Sequence, residues 1–366
     1  DRVKVGVFAL ARFWEVLSGT DLWFYLISGA GLISFVIGAY NAFFQKDMKG
    51  ILAYSTISHL GLICTLLGMN SRLALVVAIF HMLNHATFKA SLFMAAGIVD
   101  HETGTRDITI LNGLRKAMPV TALLAAVAAA AMAGVPLLNG FISKEMFFSE
   151  TLFAEASLSN PYFLPIMAVI GSILSVAYSY RFIVSVFFGE PHFESLPKKP
   201  HDPYKWMLVP SAILVFLCVL VGVLPQHTIG PLLSTAVSGV LGPNHGVEYD
   251  LAVWHGFNIP LLMSVLAMVG GICLALIMHR SLLAYPDVTP FTERFEGRRI
   301  FDKIMDYVDI FAFYTVRWAS SERMQIQLVL VVLISIAVAT LPLMGRYDIP
   351  SPDLSLIHIS EPTRRY

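Results

Sequence analysis

Residues 73–99 form an apolar run long enough to cross a bilayer as a helix, and three ionisable groups lie inside it: His81, His85 and Lys89. Their i, i+4, i+8 spacing puts all three on one helical face, with about 6 Å of rise per step. Two imidazoles and an amine in one stripe are costly in hydrocarbon. They have to face a bundle interior or a wet cavity, the setting in which such groups carry ions or protons. A chain holding this stripe must therefore build other helices around it. The competing reading is that the three groups are hydrogen-bonded glue between helices.

The rest of the chain can supply those helices. It is 56% hydrophobic and only 14% charged, against about 25% charged in soluble domains. Its mean hydropathy is +0.70. The expected fold is therefore all-α, a polytopic transmembrane helix bundle. Basic and acidic residues number 25 each, a balance that gives nucleic acid no electrostatic footprint. Cys64, Cys218 and Cys273 lie in separate apolar runs and read as buried or lipid-facing thiols.

The other spans follow from apolar length. Residues 3–14 are too short to cross and read as the tail of a helix that begins before Asp1. Residues 22–44, 48–69, 162–188, 206–224, 259–278 and 327–344 are expected spans. Residues 231–241 read as a surface helix. Ile300, Phe301, Ile304, Val308, Phe311 and Tyr314 make the apolar stripe of an amphipathic interfacial helix. Residues 118–154 are too long for one simple span. Gly134, Pro136, Asn139 and Gly140 interrupt them, which predicts a helix broken within the membrane. Exposed backbone there is tolerated only where protein encloses it.

Further polar residues accompany the stripe. Lys49 opens the 48–69 span and either snorkels to the headgroups or joins an ion path. His59, in the middle of the same span, is either a core hydrogen-bonding residue or a path member. Lys144 falls just past the break, as an interfacial anchor paired with Glu145 or as an ion-path group. Arg181 reads as an interfacial residue or a transport residue. Residues 100–107 (DHETGTRD) read as a solvated loop. Their adjacent acids and histidine do not make a preformed metal site, and no metal or other cofactor is expected. Basic residues fall mostly in alternate loops, which assigns those loops to the cytoplasm. The expected organisation is a transmembrane module over 1–285, an amphipathic helix with a final span over 286–345, and a tail over 346–366. Residues 354–366 read as non-native read-through.

Three strings, 47–59 with its Lys49 and His59, the 81–89 stripe and 140–145 (GFISKE), occur in the order seen in the antiporter-like subunits of respiratory complex I. The chain most resembles the A subunit of Mrp-type multi-subunit Na+/H+ antiporters, which carries the DHETGTRD string at this place. The resemblance covers residues 1–345 and implies the C-terminal portion of an inverted-repeat antiporter module. It implies a proton path through Lys49, His59, His81, His85, Lys89 and Lys144, with Glu145 tuning Lys144, and water between stripe residues too far apart for direct transfer. It also implies Na+ and H+ as transported ions, sister membrane subunits as partners, and a bacterial or archaeal cell membrane as location. The alternatives are a proton-pumping subunit of a complex I or membrane-bound hydrogenase complex, and a structural scaffold subunit. No nucleophile motif, nucleotide loop or metal spacing points to covalent catalysis.

Overall fold

Helix signals along the chain decide where each element starts and stops. The computed structural model describes residues 3–153, 161–191, 193–242, 247, 249–254, 256–284, 297–319 and 324–344, and among these it is helical with no named strand. The first helix, α1, spans Val3–Leu17. Next, α2 spans Asp21–Phe44 and contains one wide π turn, Phe24–Ser28. Helix α3, Met48–Gly68, starts at Asp47, whose carboxylate accepts from the Gly50 amide at 3.0 Å. Ser71 caps α4, Arg72–Thr103, in the same way through the Ala74 amide.

At 32 residues, α4 is about 48 Å long and exceeds the ~30 Å hydrocarbon core. This corrects the reading of residues 100–107 as a loop. Asp100–Thr103 are the last turn of α4, and the helix stops only at Gly104, in the left-handed conformation at φ 77°. Nothing earlier breaks it, and charged side chains beyond the hydrocarbon have no reason to.

The interrupted segment is two helices, α5 (Pro119–Ala133) and α6 (Asn139–Phe153). Gly134 ends α5 at φ 90°. Then follow α7 (Phe163–Phe187), α8 (Lys205–Val223), α9 (Gly230–Leu241) and α10 (Ile259–Ala284). Among the described residues, six helices are long and apolar enough to cross a membrane: α2, α3, α4, α7, α8 and the Ile259–Met278 part of α10.

α4 is the hub of the bundle, packing against α3, α5, α6, α8 and α9. α7 leans on α2, α5 and α10. The tightest pairing joins α2 to α3, where glycines let the backbones meet. A Cβ on Gly61 would stand 2.6 Å from the Gly31 carbonyl oxygen. Two apolar clusters fill the interior, one around Phe43, Phe88 and Phe182, the other around Phe35, Phe80 and Phe147. On α4 the change from one to the other falls between Phe80 and Phe88, the stretch that carries His81 and His85.

Loops tie the helix ends together on one side. The segment after α4 straps the start of α3: the Met48 amide donates to Arg106 O and the Ile108 amide to Lys46 O, both at 2.9 Å. Arg106 Nε lies 3.4 Å from Asp47 Oδ2. Beyond α7, the Lys198 amide donates to Thr103 O, and Asp202 accepts from the Val120 and Thr121 amides at 3.0 and 3.2 Å. Asp202 thus caps α5 from a distant loop, a position where Met118 offers no side-chain cap.

The chain divides into two units, Asp1–Pro290 and Phe291–Tyr366. The second unit holds α11 (Gly297–Ala319) and the apolar α12 (Met324–Met344). α11 has the expected amphipathic pattern. The boundary expected at 285/286 and the tail at 346–366, with its suspected read-through, lie outside the described residues.

Two outcomes follow from this packing. Gly61→Leu overfills the α2–α3 contact and is expected to destabilise the bundle by about 1–3 kcal/mol, read as a lower thermal midpoint in detergent. Asp202→Ala removes the cap of α5 and is expected to cost about 1 kcal/mol, read the same way, with Asp202→Asn retaining most of the stability.

Candidate functional site

The polar interior is assembled from four helices. Lys89, on α4, is buried and donates to Leu52 O at 3.1 Å and to the Ser55 hydroxyl, both on α3. Leu52 O also accepts from Ser55 Oγ and Thr56 Oγ1, so side chains crowd this one carbonyl. The Lys89 ammonium is thereby held by one carbonyl and one hydroxyl rather than by a counter-charge.

One and two turns toward the start of α4 come His85 and His81. His81 faces α3, where its Nε2 lies 3.0 Å from His59 Nδ1, with the two rings stacked at 5.2 Å between centroids. The step between α4 and α3 therefore needs no bridging water. His85 sits 5.4 Å from His59 by ring centroid. Among the described residues, neither His85 nitrogen has a hydrogen-bond partner, and nor does His59 Nε2. An unpartnered buried polar atom costs about 1–3 kcal/mol. Three such atoms lie together here, at His59 and His85. Phe88 closes one side, 5.4 Å from the His59 ring and 5.5 Å from the His85 ring.

From His81 the line continues to the broken helix. His81 Nδ1 lies 2.9 Å from Ser143 Oγ on α6. Ser143 is fully buried, and the next residue is Lys144. Lys144 Nζ donates to Ala133 O at 3.0 Å and to Ser175 Oγ at 3.1 Å, and Ser175 Oγ is 3.1 Å from Tyr178 Oη on α7. Ala133 O is the last carbonyl of α5, one of those a helix terminus leaves without an intrahelical donor. The negative end of the α5 dipole adds to the attraction for an ammonium. The break itself is pinned by the pair Asn84 Nδ2 to Asn139 O and Asn139 Nδ2 to Thr87 Oγ1, both 2.9 Å. Packing holds it shut elsewhere: the position of a Cβ on Gly140 is occupied by Ala131 O.

The structure thus brings His59, His81, His85, Lys89 and Lys144 into one buried group: His59, His81 and Ser143 are in direct contact, His85 meets His59 ring to ring, and Lys89 and Lys144, each bonded elsewhere, follow one turn after His85 and one residue after Ser143. It does not bring Lys49 or Glu145 into it. Lys49 is 39% exposed at the end of the bundle, bonded to Asp100 in the last turn of α4 at 2.7 Å. That contact explains the position physically, since the first turn of α3 lies beside the last turn of α4. Glu145 is buried but turns away from Lys144. It meets Asn258 Nδ2 at 3.5 Å and lines a cavity of about 290 Å³ with Ser149, Tyr249 and Asp250. The expected pairing of Lys144 with Glu145 is therefore not formed, because successive residues on a helix point about 100° apart.

Arg181 donates to Phe43 O and to Gln45 O, so it caps the end of α2 instead of lying free at the interface. Among the described residues no group of three His, Cys, Asp or Glu side chains could hold a metal ion. Ser55, Ser143, Ser175 and Tyr178 are the members that sequence reasoning missed. Their hydroxyls are common inside membrane helices and carry no pattern of their own. Only the position of Ser143, directly before Lys144 and on the facing helix, gave any signal.

Known proteins bear on this geometry. The family model described as NADH:quinone oxidoreductase/Mrp antiporter, TM, matches residues 2–175, the part that contains His59, His81, His85, Lys89 and Lys144. The chain is 50% identical over 355 residues to the A/B subunit of a probable K+/H+ antiporter of Rhizobium meliloti strain 1021, covering 95% of this chain and 35% of that protein. It is 40% identical over 301 residues to the A subunit of the Na+/H+ antiporter of Alkalihalophilus pseudofirmus, covering 75% of this chain and 37% of that one. The solved Mrp complex from Dietzia sp. DQ12-45-1b contains a chain of similar fold, with a TM-score of 0.73 and 32% identity. That likeness covers 99% of this chain and 38% of the other. The chain thus spans a little over a third of the length of these proteins. Residues 2–175 thus match the NADH:quinone oxidoreductase/Mrp antiporter transmembrane family model, and along most of its length the chain is similar to these antiporter A and A/B subunits and to a chain of the Mrp complex.

Proposed function

We propose that this chain is part of the A subunit of a bacterial Mrp-type cation/proton antiporter, and that protons cross it along the line Lys89, His85, His59, His81, Lys144. The observation that carries the reading is the 3.0 Å contact between His59 Nδ1 and His81 Nε2, both fully buried. Proton transfer needs donor and acceptor near hydrogen-bond distance. An imidazole can take a proton on one nitrogen and release one from the other. Two such rings in contact across a helix interface form a step that no helix-glue role requires.

The remaining residues take places around this line. Lys49, with Asp100, is the loading position at the side of the loops rich in basic residues, which the positive-inside pattern assigns to the cytoplasm. Lys144 is the terminal store, and Glu145 acts on the outlet side through its own cavity. The exposed apolar faces of α8 and α10 meet lipid or the sister membrane subunits of the complex. The chain is a secondary-transporter subunit of the cell membrane. The named relatives differ in their cation, K+ in one and Na+ in the other, so the test treats both.

The test is cation-induced collapse of ΔpH in everted vesicles from antiporter-deficient cells that carry the full-length parent gene in its operon. Na+ and K+ are added in separate arms. Lys89→Ala, His81→Ala and Lys144→Ala are each expected to slow exchange by tenfold or more (about 1.4 kcal/mol of barrier) at unchanged membrane abundance. Exchange that survives all three would make the buried line helix glue. A parent that exchanges neither cation but pumps protons when a redox donor is supplied would replace the antiporter reading with the respiratory one.

A further inference from the structure

We infer that the Ser143 hydroxyl sets which nitrogen of His81, and through it of His59, carries the proton, and so orients the line for transfer toward Lys144. This rests on the proton path proposed above and adds a positioning residue to it. Ser143 Oγ has three neighbours and one hydrogen to give. It lies 2.9 Å from His81 Nδ1, 3.3 Å from Gly140 O and 3.4 Å from Asn139 O. Serines inside helices commonly donate back to such carbonyls three and four residues earlier. Here the same oxygen also meets an imidazole nitrogen that must be either a donor or an acceptor.

Two arrangements satisfy these contacts. In the first, Ser143 donates to His81 Nδ1, so His81 carries its proton on Nε2 and donates to His59 Nδ1. His59 then carries its proton on Nε2. In the second, Ser143 donates to the Gly140 or Asn139 carbonyl and accepts from His81 Nδ1–H. His81 Nε2 is then bare and accepts from His59 Nδ1–H, which leaves His59 Nε2 bare. Both have the same number of protons and opposite polarity. Only the second can take a proton at His59 Nε2, the nitrogen without a partner among the described residues. A proton bound there is matched by His59 Nδ1–H passing to His81 Nε2, which leaves His59 neutral and His81 as an imidazolium donating through Nδ1–H to Ser143 Oγ. A wire without Ser143 has no group to hold either polarity.

The experiment places Ser143→Ala, Ser143→Thr and Lys144→Ala in the full-length parent within its complex. It reads exchange in everted vesicles and the imidazole 15N signals of His-labelled protein. Ser143→Thr keeps a hydroxyl and is expected within about threefold of the parent. Ser143→Ala is expected to lose tenfold or more, and its His81 signal is expected to pass from one fixed tautomer to an average of two. A Ser143→Ala protein that exchanges like the parent, beside an inactive Lys144→Ala, would overturn the role of Ser143 and leave the path standing. Activity in Lys144→Ala would instead sink the path itself. Should Ser143→Ala fail to reach normal abundance, Ser143→Cys takes its place. A thiol is a weak donor, so parent-level exchange in that variant would equally overturn the inference.

Discussion

Hydrocarbon offers no hydrogen bonds, so each backbone carbonyl released inside this bundle needs a protein donor, and that constraint shapes the site. The break between α5 and α6 frees Ala133 O, and Lys144 supplies the donor. The same logic holds at Leu52 O, which Lys89 takes. Both amines are kept in the interior by carbonyls, with no carboxylate beside either in the described contacts. A carboxylate partner would fix the positive charge. A carbonyl serves the ammonium and releases the neutral amine at modest cost, as a group that must gain and lose a proton requires. In the proposed path the histidines between the two amines provide the transferable protons, and the apolar clusters around Phe80 and Phe88 wall them off.

Much of the architecture was legible in the sequence because membrane helices are long, apolar and sharply ended. The stripe on α4, the interruption at Gly134 and Pro136, and the amphipathic pattern of α11 each rest on periodicity or on a breaker. What sequence could not show was contact across helices. His59 meets His81 because Gly31 and Gly61 seat α3 against α2, and α3 in turn presents His59 to α4. Nothing in the spacing along either helix encodes that register. Lys49 and Glu145 were grouped with the buried set for the complementary reason. Their residue types matched the buried set, but one lies at a helix end beside Asp100 and the other on a different face of α6. The string at 100–107 misled through its charge. Its acids and basic residues serve the joint between α3 and α4, not a free loop.

That joint gives the basic end of the bundle its own organisation. Asp47, Lys49, Asp100 and Arg106 alternate in sign across two helix ends, and Glu102 lies between His101 and His201. The loop from α7 to α8 closes over it through Lys198 and Asp202. The ends of α3, α4 and α5 are therefore tied on this side, and a cavity lies around Glu145 and Asp250.

The bond from Lys144 to Ala133 O has a thermodynamic corollary. The carbonyl is available only while residues 134–138 stay out of helical register. Removing positive charge from Lys144 withdraws stabilisation from the broken form, and straightening the segment would withdraw a partner from the charge. Helix continuity and proton occupancy are thus reciprocal variables of one equilibrium. Any perturbation that favours a continuous helix at 119–153 also acts as a base on Lys144, and any perturbation that charges Lys144 acts as a helix breaker about ten residues away.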